Sequence, residues 1–346
     1  MTKDRRARRP TQAELANMVG VSQVTVHRAL TGSGPVKEET RKKVLKLARD
    51  HGYRLNTSAS ALRKGRFGNV ALLQSTEPGR STFDGLRGIQ DVLDSENILL
   101  TAARLPDDQL THEGFVPRIL REWCADGLLI NYTHHIPERM VQLIAEYEVP
   151  SVWINSKLPA DCVHFDDEQG GRLATESLIE RGHRHIAFVD LSHAEDELDE
   201  SHYSARDRRA GYEKAMGEAG LTGDVVRGHT RVPAASRAAF AREWLSRDSR
   251  PTAVLAYSDR SALPVLLAAR ELGIAVPGEL SIMAFSHEPV DRAGVLVSSV
   301  QAGHGQLGAE AAEMLLTKLD SPRSALSPTR VPFSAPEGDT VAPPAK

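Results

Sequence analysis

From Asn69 onward, short apolar runs alternate with longer amphipathic stretches. Strands are predicted at Val70–Leu73, Ile98–Ala102, Leu128–Asn131 and Ser151–Asn155, with helices near Phe83–Asp94, Gly114–Trp123 and Pro137–Glu146. A second series repeats the theme. Its strands are Ile186–Val189, Ala253–Tyr257, Leu280–Phe285 and Val295–Val300, and its helices lie near Arg208–Ala219, Arg237–Arg247, Ala262–Gly273 and Leu307–Leu319. Alternation of this kind gives parallel, doubly wound sheets. Two series in tandem predict two α/β lobes with a cleft between them.

The first fifty residues follow another pattern. Thr11 followed three positions later by Glu14 has the spacing of a capping box, so a helix is expected over Gln12–Val19. Gly20 stops it, and Ser22 caps a second helix running to about Leu30. Ala16 permits close approach, while Val21, Val26 and Leu30 close the core of a helix-turn-helix. A third helix is expected from Lys37 to about His51, ended by Gly52. The second helix carries Gln23, Val24, Thr25, His27 and Arg28. Gln pairs with adenine, Arg with guanine and Val with a thymine methyl, so the mixture suits the major groove. Asn56 opens a short segment ending at Gly65 whose one large apolar residue is Leu62, with Arg63 and Lys64 beside it. A segment this short is marginal as an isolated helix and should order only with a partner.

Charge sharpens this division. The 346-residue chain has a formal net charge of −3, but residues 1–66 carry 16 Lys and Arg against 5 Asp and Glu, whereas the rest carries 27 against 41. A basic module joined to an acidic one points the first at a polyanion, most simply nucleic acid. The two cysteines, Cys124 and Cys162, are too few for a disulfide framework and form no C-x-x-C pair. The basic N-terminus is not followed by the apolar stretch of a signal peptide, and no apolar run approaches a membrane span, so a cytoplasmic protein is expected.

Ligands of open α/β sheets bind beyond the carboxyl ends of the strands. The residues there are polar or aromatic: Phe83 after the first loop, Trp153 and Asn155 at a strand end, Ser258 and Asp259 after Tyr257, and Arg208 opening a helix. Such groups hydrogen-bond hydroxyls or carboxylates while a Trp face packs on a sugar ring. Other motifs mislead. Gly303-His304-Gly305-Gln306-Leu307-Gly308 satisfies G-x-G-x-x-G, but lacks the following strand and acidic residue of a dinucleotide site. His134-His135, His183-x-His185 and Cys162-x-His164 have no third ligand at recognisable spacing. Asp166-Asp167-Glu168 and the run from Glu195 to Glu200 read as solvated loop acids, and residues 321–346 as an irregular, Pro-rich tail.

The run Leu15-Ala16-Asn17-Met18-Val19-Gly20-Val21-Ser22-Gln23-Val24-Thr25-Val26-His27-Arg28-Ala29-Leu30, with Gly52-Tyr53-Arg54-Leu55-Asn56 further on, resembles the DNA-binding head of the LacI/GalR family of transcriptional regulators. The resemblance covers nearly the whole chain to about residue 320, through Arg181-Gly182-His183-Arg184-His185-Ile186, the segment Ser204 to Tyr212, and Gly273-Ile274-Ala275-Val276-Pro277-Gly278. It implies that Gln23, Val24 and Arg28 read bases, that Ser22, Thr25 and His27 touch phosphate, and that Asn56 to Arg63 form a hinge helix whose Leu62 wedges into the minor groove. It places Arg208 at the effector-binding arginine, and Asn155, Ser258 and Asp259 at cleft positions. His27, Ser258 and Ser286-His287 depart from the usual residues, which leaves room for a different operator and a different ligand chemistry.

The implied architecture is α/β: a helix-turn-helix head (1–55), a hinge (56–66), a two-lobed core resembling periplasmic binding proteins (67–320) and the tail (321–346). The implied function is a repressor, not an enzyme, without cofactor or metal, that binds a pseudo-palindromic operator in double-stranded DNA as a homodimer or larger assembly, controlled by a sugar-like effector. A solute-binding protein and a sugar enzyme working in the cleft are the rivals. The first has no use for a basic head, and no complete nucleophile, phosphate loop or metal site supports the second.

Overall fold

The computed structural model describes residues 10–53, 66–75, 83–105, 122, 124–131, 138–198, 201–286, 290–292 and 294–345. Asn56, Leu62 and Arg63, most of the helix expected over 114–123, and His134, His135 and His287 lie outside the described residues. The chain forms two compact units, Met1–Phe67 and Gly68–Lys346.

The first unit holds α1 (Gln12–Val19), α2 (Gln23–Thr31) and α3 (Glu38–Asp50). The capping box forms as expected: Glu14 N–H donates to Thr11 Oγ1 at 3.2 Å and Thr11 N–H to Glu14 Oε2 at 2.6 Å. Gly20 ends α1 at φ 75°, a conformation that costs other residues energy, and its N–H closes on Ala16 O at 2.9 Å. Leu15, Ala16, Val26, Ala29, Val44 and Ala48 form the core, with Val21 and Leu30 packed against it.

The second unit is built on two six-stranded sheets. The first contains β1 (Asn69–Ser75), β2 (Leu99–Leu105), β3 (Gly127–Asn131), β4 (Ser151–Ile154), β5 (Cys162–Phe165) and β12 (Thr329–Val331), in the order β12-β5-β4-β3-β1-β2, all parallel. The second contains β6 (Ile186–Asp190), β7 (Asp224–Arg227), β8 (Ala253–Ala256), β9 (Ser281–Ser286), β10 (Val290–Arg292) and β11 (Val295–Gln301), in the order β10-β11-β9-β8-β6-β7, with only β10 antiparallel. Helices α4 (Phe83–Ser95), α5 (Glu138–Glu146), α6 (Asp167–Glu180), α7 (Ser204–Glu218), α8 (Arg237–Leu245), α9 (Asp259–Glu271) and α10 (His304–Asp320) cover them.

Period-two burial explains the continuous apolar runs. Val70 and Leu72 enter one core while Ala71 and Leu73 enter another, and Ile186 and Phe188 alternate in the same way with Ala187 and Val189. Strands buried on both faces must be apolar throughout. The parity also disposes of Trp153. It is 3% exposed and packs with Leu73, Leu128, Met140 and Leu143, on the face opposite Val152 and Ile154.

Two helix pairs cross through glycine. A Cβ on Gly88 of α4 would lie 2.0 Å from Gly305 O of α10, and one on Gly308 2.1 Å from Gly85 O. The G-x-G-x-x-G stretch therefore serves helix packing. In the second crossing, a Cβ on Gly171 of α6 would lie 2.2 Å from Arg208 O, and one on Gly211 of α7 2.0 Å from Glu168 O.

The expectation of an irregular tail after residue 320 is corrected. Chain beyond α10 adds β12 to the first sheet beside β5, then returns to the second lobe, where Phe333 bridges Ala302 and Thr340 is fully buried between Ser298 and Ile282. His183 clamps its end: Nε2–H donates to Ala342 O at 2.9 Å while Nδ1 meets Thr252 Oγ1 at 3.0 Å. The polypeptide thus crosses between lobes three times, through α6, through α10 and through residues 332–340.

Candidate functional site

In the head, Ser22 caps α2 by accepting Thr25 N–H at 3.2 Å, and its hydroxyl also meets Thr25 Oγ1 at 2.9 Å. Gln23, Val24 and Arg28 are exposed, Val24 to 57%, and Thr25 and His27 are half-buried. Val24 and Arg28 share one face at i and i+4, so an apolar contact and a guanidinium fork are presented together. The Arg28 stem lies along the loop at Gly34, where an added Cβ would come within 3.1 Å of Arg28 Cδ. Gln12 Nε2 donates to Gln23 O at 3.1 Å and ties α1 to the start of α2. The helix-turn-helix therefore offers an ordered, protruding set of side chains suited to base edges and phosphates.

In the second unit, Arg208 gathers the polar groups at the carboxyl ends of the strands. It lies in the second turn of α7, not at the helix opening expected from sequence, because the helix starts at Ser204. Its Nε donates to Asp167 Oδ1 at 2.6 Å and its Nη1 to Tyr257 O at 2.8 Å. The guanidinium sits over three rings, with centroids 4.3 Å (Phe285), 4.8 Å (Tyr257) and 5.6 Å (Phe333) away. The glycine crossing of α6 and α7 sets this geometry, since it brings the Asp167 and Arg208 backbones together.

Asn155 joins the lobes. Its backbone adopts φ 55°, which Asn tolerates better than most residues. Its side-chain oxygen accepts from Tyr203 Oη at 3.0 Å, its carbonyl meets His202 Nε2 at 2.9 Å, and His202 Nδ1 reaches Ser204 Oγ at 2.8 Å. Ser204 Oγ in turn meets Tyr257 Oη at 2.8 Å. Ser258 and Asp259 begin α9 immediately after Tyr257. The structure thus brings Asn155, Arg208, Ser258 and Asp259 to one region. Trp153 does not join them, and Phe83 is 79% exposed at the start of α4.

Asp167, His202, Tyr203 and Asn131 are additions that sequence reasoning missed. Asp167 stood in the acidic run read as solvated, yet its side chain is 0% exposed. Glu195 stands at the surface as expected, 50% exposed, and there pairs with Arg227 at 2.9 Å and Arg209 at 3.3 Å. Among the described residues, Asp167 Oδ2, Ser258 Oγ, Asn131 Oδ1 and Arg227 Nε are buried without a hydrogen-bond partner. Asn131 lines a small cavity with Gln74, Ile154 and His304. Buried polar atoms are nearly always paired, so Asp167 Oδ2, on the residue bonded to Arg208, and Ser258 Oγ, next to Tyr257, mark a place built for contact.

Electrostatics follow burial. Desolvation pushes the Asp167 carboxyl above the usual carboxylate range, with the Arg208 charge pulling the other way. Burial also raises Tyr257 and holds Tyr203 far above the ordinary phenol value. At the end of β6, burial opposes the charge on Asp190, but His193, Arg227 and the Ser192 amide together hold it below the usual range. Among the described residues no group of three His, Cys, Asp or Glu side chains is placed to hold a metal ion.

Residues 11–56 match the family described as bacterial regulatory proteins of the lacI family, and residues 175–341 match a periplasmic binding protein-like domain. The chain is 25% identical over 319 residues to the HTH-type transcriptional repressor PurR of Photobacterium profundum, covering 89% of this chain and 92% of that protein. The fold is similar to that of the lac repressor dimer bound to operator and the anti-inducer ONPF, with TM-score 0.78 at 22% identity over 97% of this chain and all of that one. It is also similar to the transcriptional regulator CelR in complex with cellobiose, with TM-score 0.63 at 25% identity over 96% and 100% of the two chains. A capped helix-turn-helix, a two-lobed parallel core and these matches agree: the chain joins a head of the lacI family of bacterial regulatory proteins to a periplasmic binding protein-like domain, and is similar along its length to regulators of that family.

Proposed function

We propose that the protein is a transcriptional repressor that binds a pseudo-palindromic operator as a homodimer and releases or tightens it in response to a sugar or sugar derivative held between its lobes. Gln23, Val24 and Arg28 read bases, while Ser22, Thr25 and His27 position the head on phosphates. Asn56, Leu62 and Arg63 complete the DNA contact as a hinge. Asn155, Arg208, Ser258 and Asp259 hold the effector together with Asp167 and Asn131, while Phe83 is exposed at the start of α4 and is given no part in it. Trp153 is left out because it is consumed by the core of the first lobe. The observation that carries the effector reading is Arg208 bonded to Asp167 and Tyr257 O, with Asp167 Oδ2 and Ser258 Oγ left without a partner among the described residues. The operator-bound lac repressor dimer and the CelR–cellobiose complex support DNA and sugar as the two ligands.

Regulation then requires that the effector bind the free and DNA-bound forms with different affinity, since coupling is reciprocal. The test is a titration of sugars and sugar derivatives against protein bound to its operator, with wild type and Arg208→Met side by side. A compound that shifts operator affinity in wild type and not in the variant supports the reading. An Arg208→Met protein that responds as wild type does refutes the site. Turnover of the compound would instead favour a cleft enzyme.

A further inference from the structure

We propose that the second lobe carries a phosphate-monoester subsite formed by Arg231, Arg237 and Arg260, so that the compound held between the lobes is a phosphorylated one. This rests on the reading of the interlobe site as the effector site and names one chemical group of its ligand, through residues that reading does not use. The three arginines come from separate segments at one end of the second sheet. Arg231 lies in the loop after β7, Arg237 is the first residue of α8, and Arg260 stands in the first turn of α9, shortly after β8. Strands β7 and β8 flank β6 and run parallel to it, so these segments open beyond the same carboxyl ends, where ligands of such sheets bind. A tight turn holds the first of them, since a Cβ on Gly228 would lie 2.5 Å from Thr230 O.

These cations have no counter-charge of their own. Residues 67–346 carry 27 Lys and Arg against 41 Asp and Glu, and acids are readily found there by other arginines: Arg209 pairs with Glu213 at 2.8 Å, and Arg242, on α8 itself, with Glu271 at 3.2 Å. Among the described residues Arg231, Arg237 and Arg260 form no ion pair, and Arg237 spends only its Nε, on Val232 O at 3.3 Å. Arg231 and Arg260 are exposed and Arg237 is half-buried. Burial and the charges of Arg231 and Arg260 pull the Arg237 guanidinium below the ordinary arginine value, with the charge of Asp190 acting the other way. Asp190 is already engaged, by Arg227 Nη2 at 3.0 Å and His193 Nδ1 at 3.0 Å. Like charges gathered in an otherwise acidic unit cost stability, and a bound anion turns that repulsion into attraction.

Further donors wait at the same end. The Arg227 side chain is 2% exposed, yet its Nε–H has no acceptor among the described residues, and Ser258 Oγ, at the N-cap of α9, is buried without a partner there. The N-termini of α8 and α9 add backbone N–H groups and the positive ends of two helix dipoles. A group that only accepts hydrogen bonds fits this set. A carboxylate brings one charge and two oxygens, whereas a phosphate monoester brings nearly two charges and three oxygens, the better match to three guanidiniums. The subsite borders the effector site through His193, which is bonded to Asp190 and stands edge-on to Tyr257 with ring centroids 4.8 Å apart, and the Tyr257 carbonyl holds Arg208.

The experiment is calorimetric titration of the full-length protein, without DNA, with inorganic phosphate and with acetate at matched ionic strength. Wild type is compared with Arg237→Gln, Arg231→Gln, Arg260→Gln and, as the paired arginine of the same helix, Arg242→Gln. Near-ultraviolet circular dichroism selects folded variants, and the exposed Arg231 and Arg260 test the subsite even where Arg237→Gln does not fold. Wild type should bind phosphate at least about tenfold more tightly than acetate, each variant of the three should lose about tenfold or more, and Arg242→Gln should bind as wild type does. Phosphate binding that is absent from wild type, no tighter than that of acetate, unchanged in the three variants, or lost equally in Arg242→Gln overturns the inference. The effector reading fails separately: Arg208→Met retaining the operator response removes it, while phosphate binding that depends on Arg231, Arg237 and Arg260 leaves the subsite standing.

Discussion

The crossing of α6 and α7 makes a prediction whose sign can be read from two glycines of one helix. At Gly211 an added Cβ would lie 2.0 Å from Glu168 O and 2.8 Å from Arg172 N, whereas ordinary contact begins near 3.4 Å. The helices must separate by about 1.4 Å to admit it. Such a shift would carry Arg208 Nε from 2.6 Å to about 4 Å from Asp167 Oδ1, outside hydrogen-bond range. Overpacking typically costs about 1–3 kcal/mol, and weakening a buried ion pair adds to it. The better helix propensity of alanine returns only about 1 kcal/mol. Gly211→Ala should therefore destabilise the protein by about 2 kcal/mol or more. Gly217, six residues on in the same helix, has nothing within 4 Å of its added Cβ, so Gly217→Ala should be neutral or stabilising by up to about 1 kcal/mol. Urea unfolding of both variants followed by far-ultraviolet circular dichroism measures the difference as a shift in midpoint. If Gly211→Ala proves as stable as Gly217→Ala, the close crossing does not hold Arg208 against Asp167 and the origin assigned to the site geometry is wrong.

Other outcomes follow from the same structure. Arg28→Ala should cost about 1–3 kcal/mol at one base position of the operator and relax specificity there; a uniform loss across all sequences in a binding-site panel would argue against base reading. Phe333 is 6% exposed in the largest core cluster, so Phe333→Ala should cost about 3–5 kcal/mol in a thermal or urea melt, and a loss within error of zero would show that the C-terminal segment is not integral to the core. Burial holds the His183 imidazole below its ordinary value of 6.5, which desolvation explains, so the unfolded chain takes up a proton that the folded chain resists. Its contribution to stability is complete above that pH and is lost as pH falls through the folded value. The stability gap between wild type and His183→Gln should narrow on acidification from neutrality, and a gap that widens would contradict the assignment.

What the sequence discloses depends on how locally each feature is encoded. The head is readable because its signals are near neighbours: Thr11 with Glu14, Gly20 at φ 75°, and Ser22 capping α2. The long strands are readable because both faces of each sheet are buried. Helix α6 escapes because Gly170 and Gly171 look like a turn, and only the presence of α7 and Phe333 explains why no side chain fits there. Strands β5, β7 and β12 have three or four residues each and gain their partners from distant chain. The segment after residue 320 is anchored by isolated residues such as Val331, Phe333 and Thr340, a spacing with no periodicity to detect. At the site, Arg208 is marked by resemblance, but Asp167 lies 41 residues earlier and gains meaning only as its partner. Trp153 shows the reverse error, since the end of a strand is near the cleft while the side chain there faces the core.

The central claim is that a two-fold assembly reads a specific DNA sequence through α2, and selection of bound duplexes from a random pool by the purified full-length protein at near-physiological salt tests it most directly. The account predicts recovery of a pseudo-palindrome whose half-sites lose one specified base under Arg28→Ala. Recovery of sequences with no common motif, with and without compounds that bind between the lobes, would contradict it.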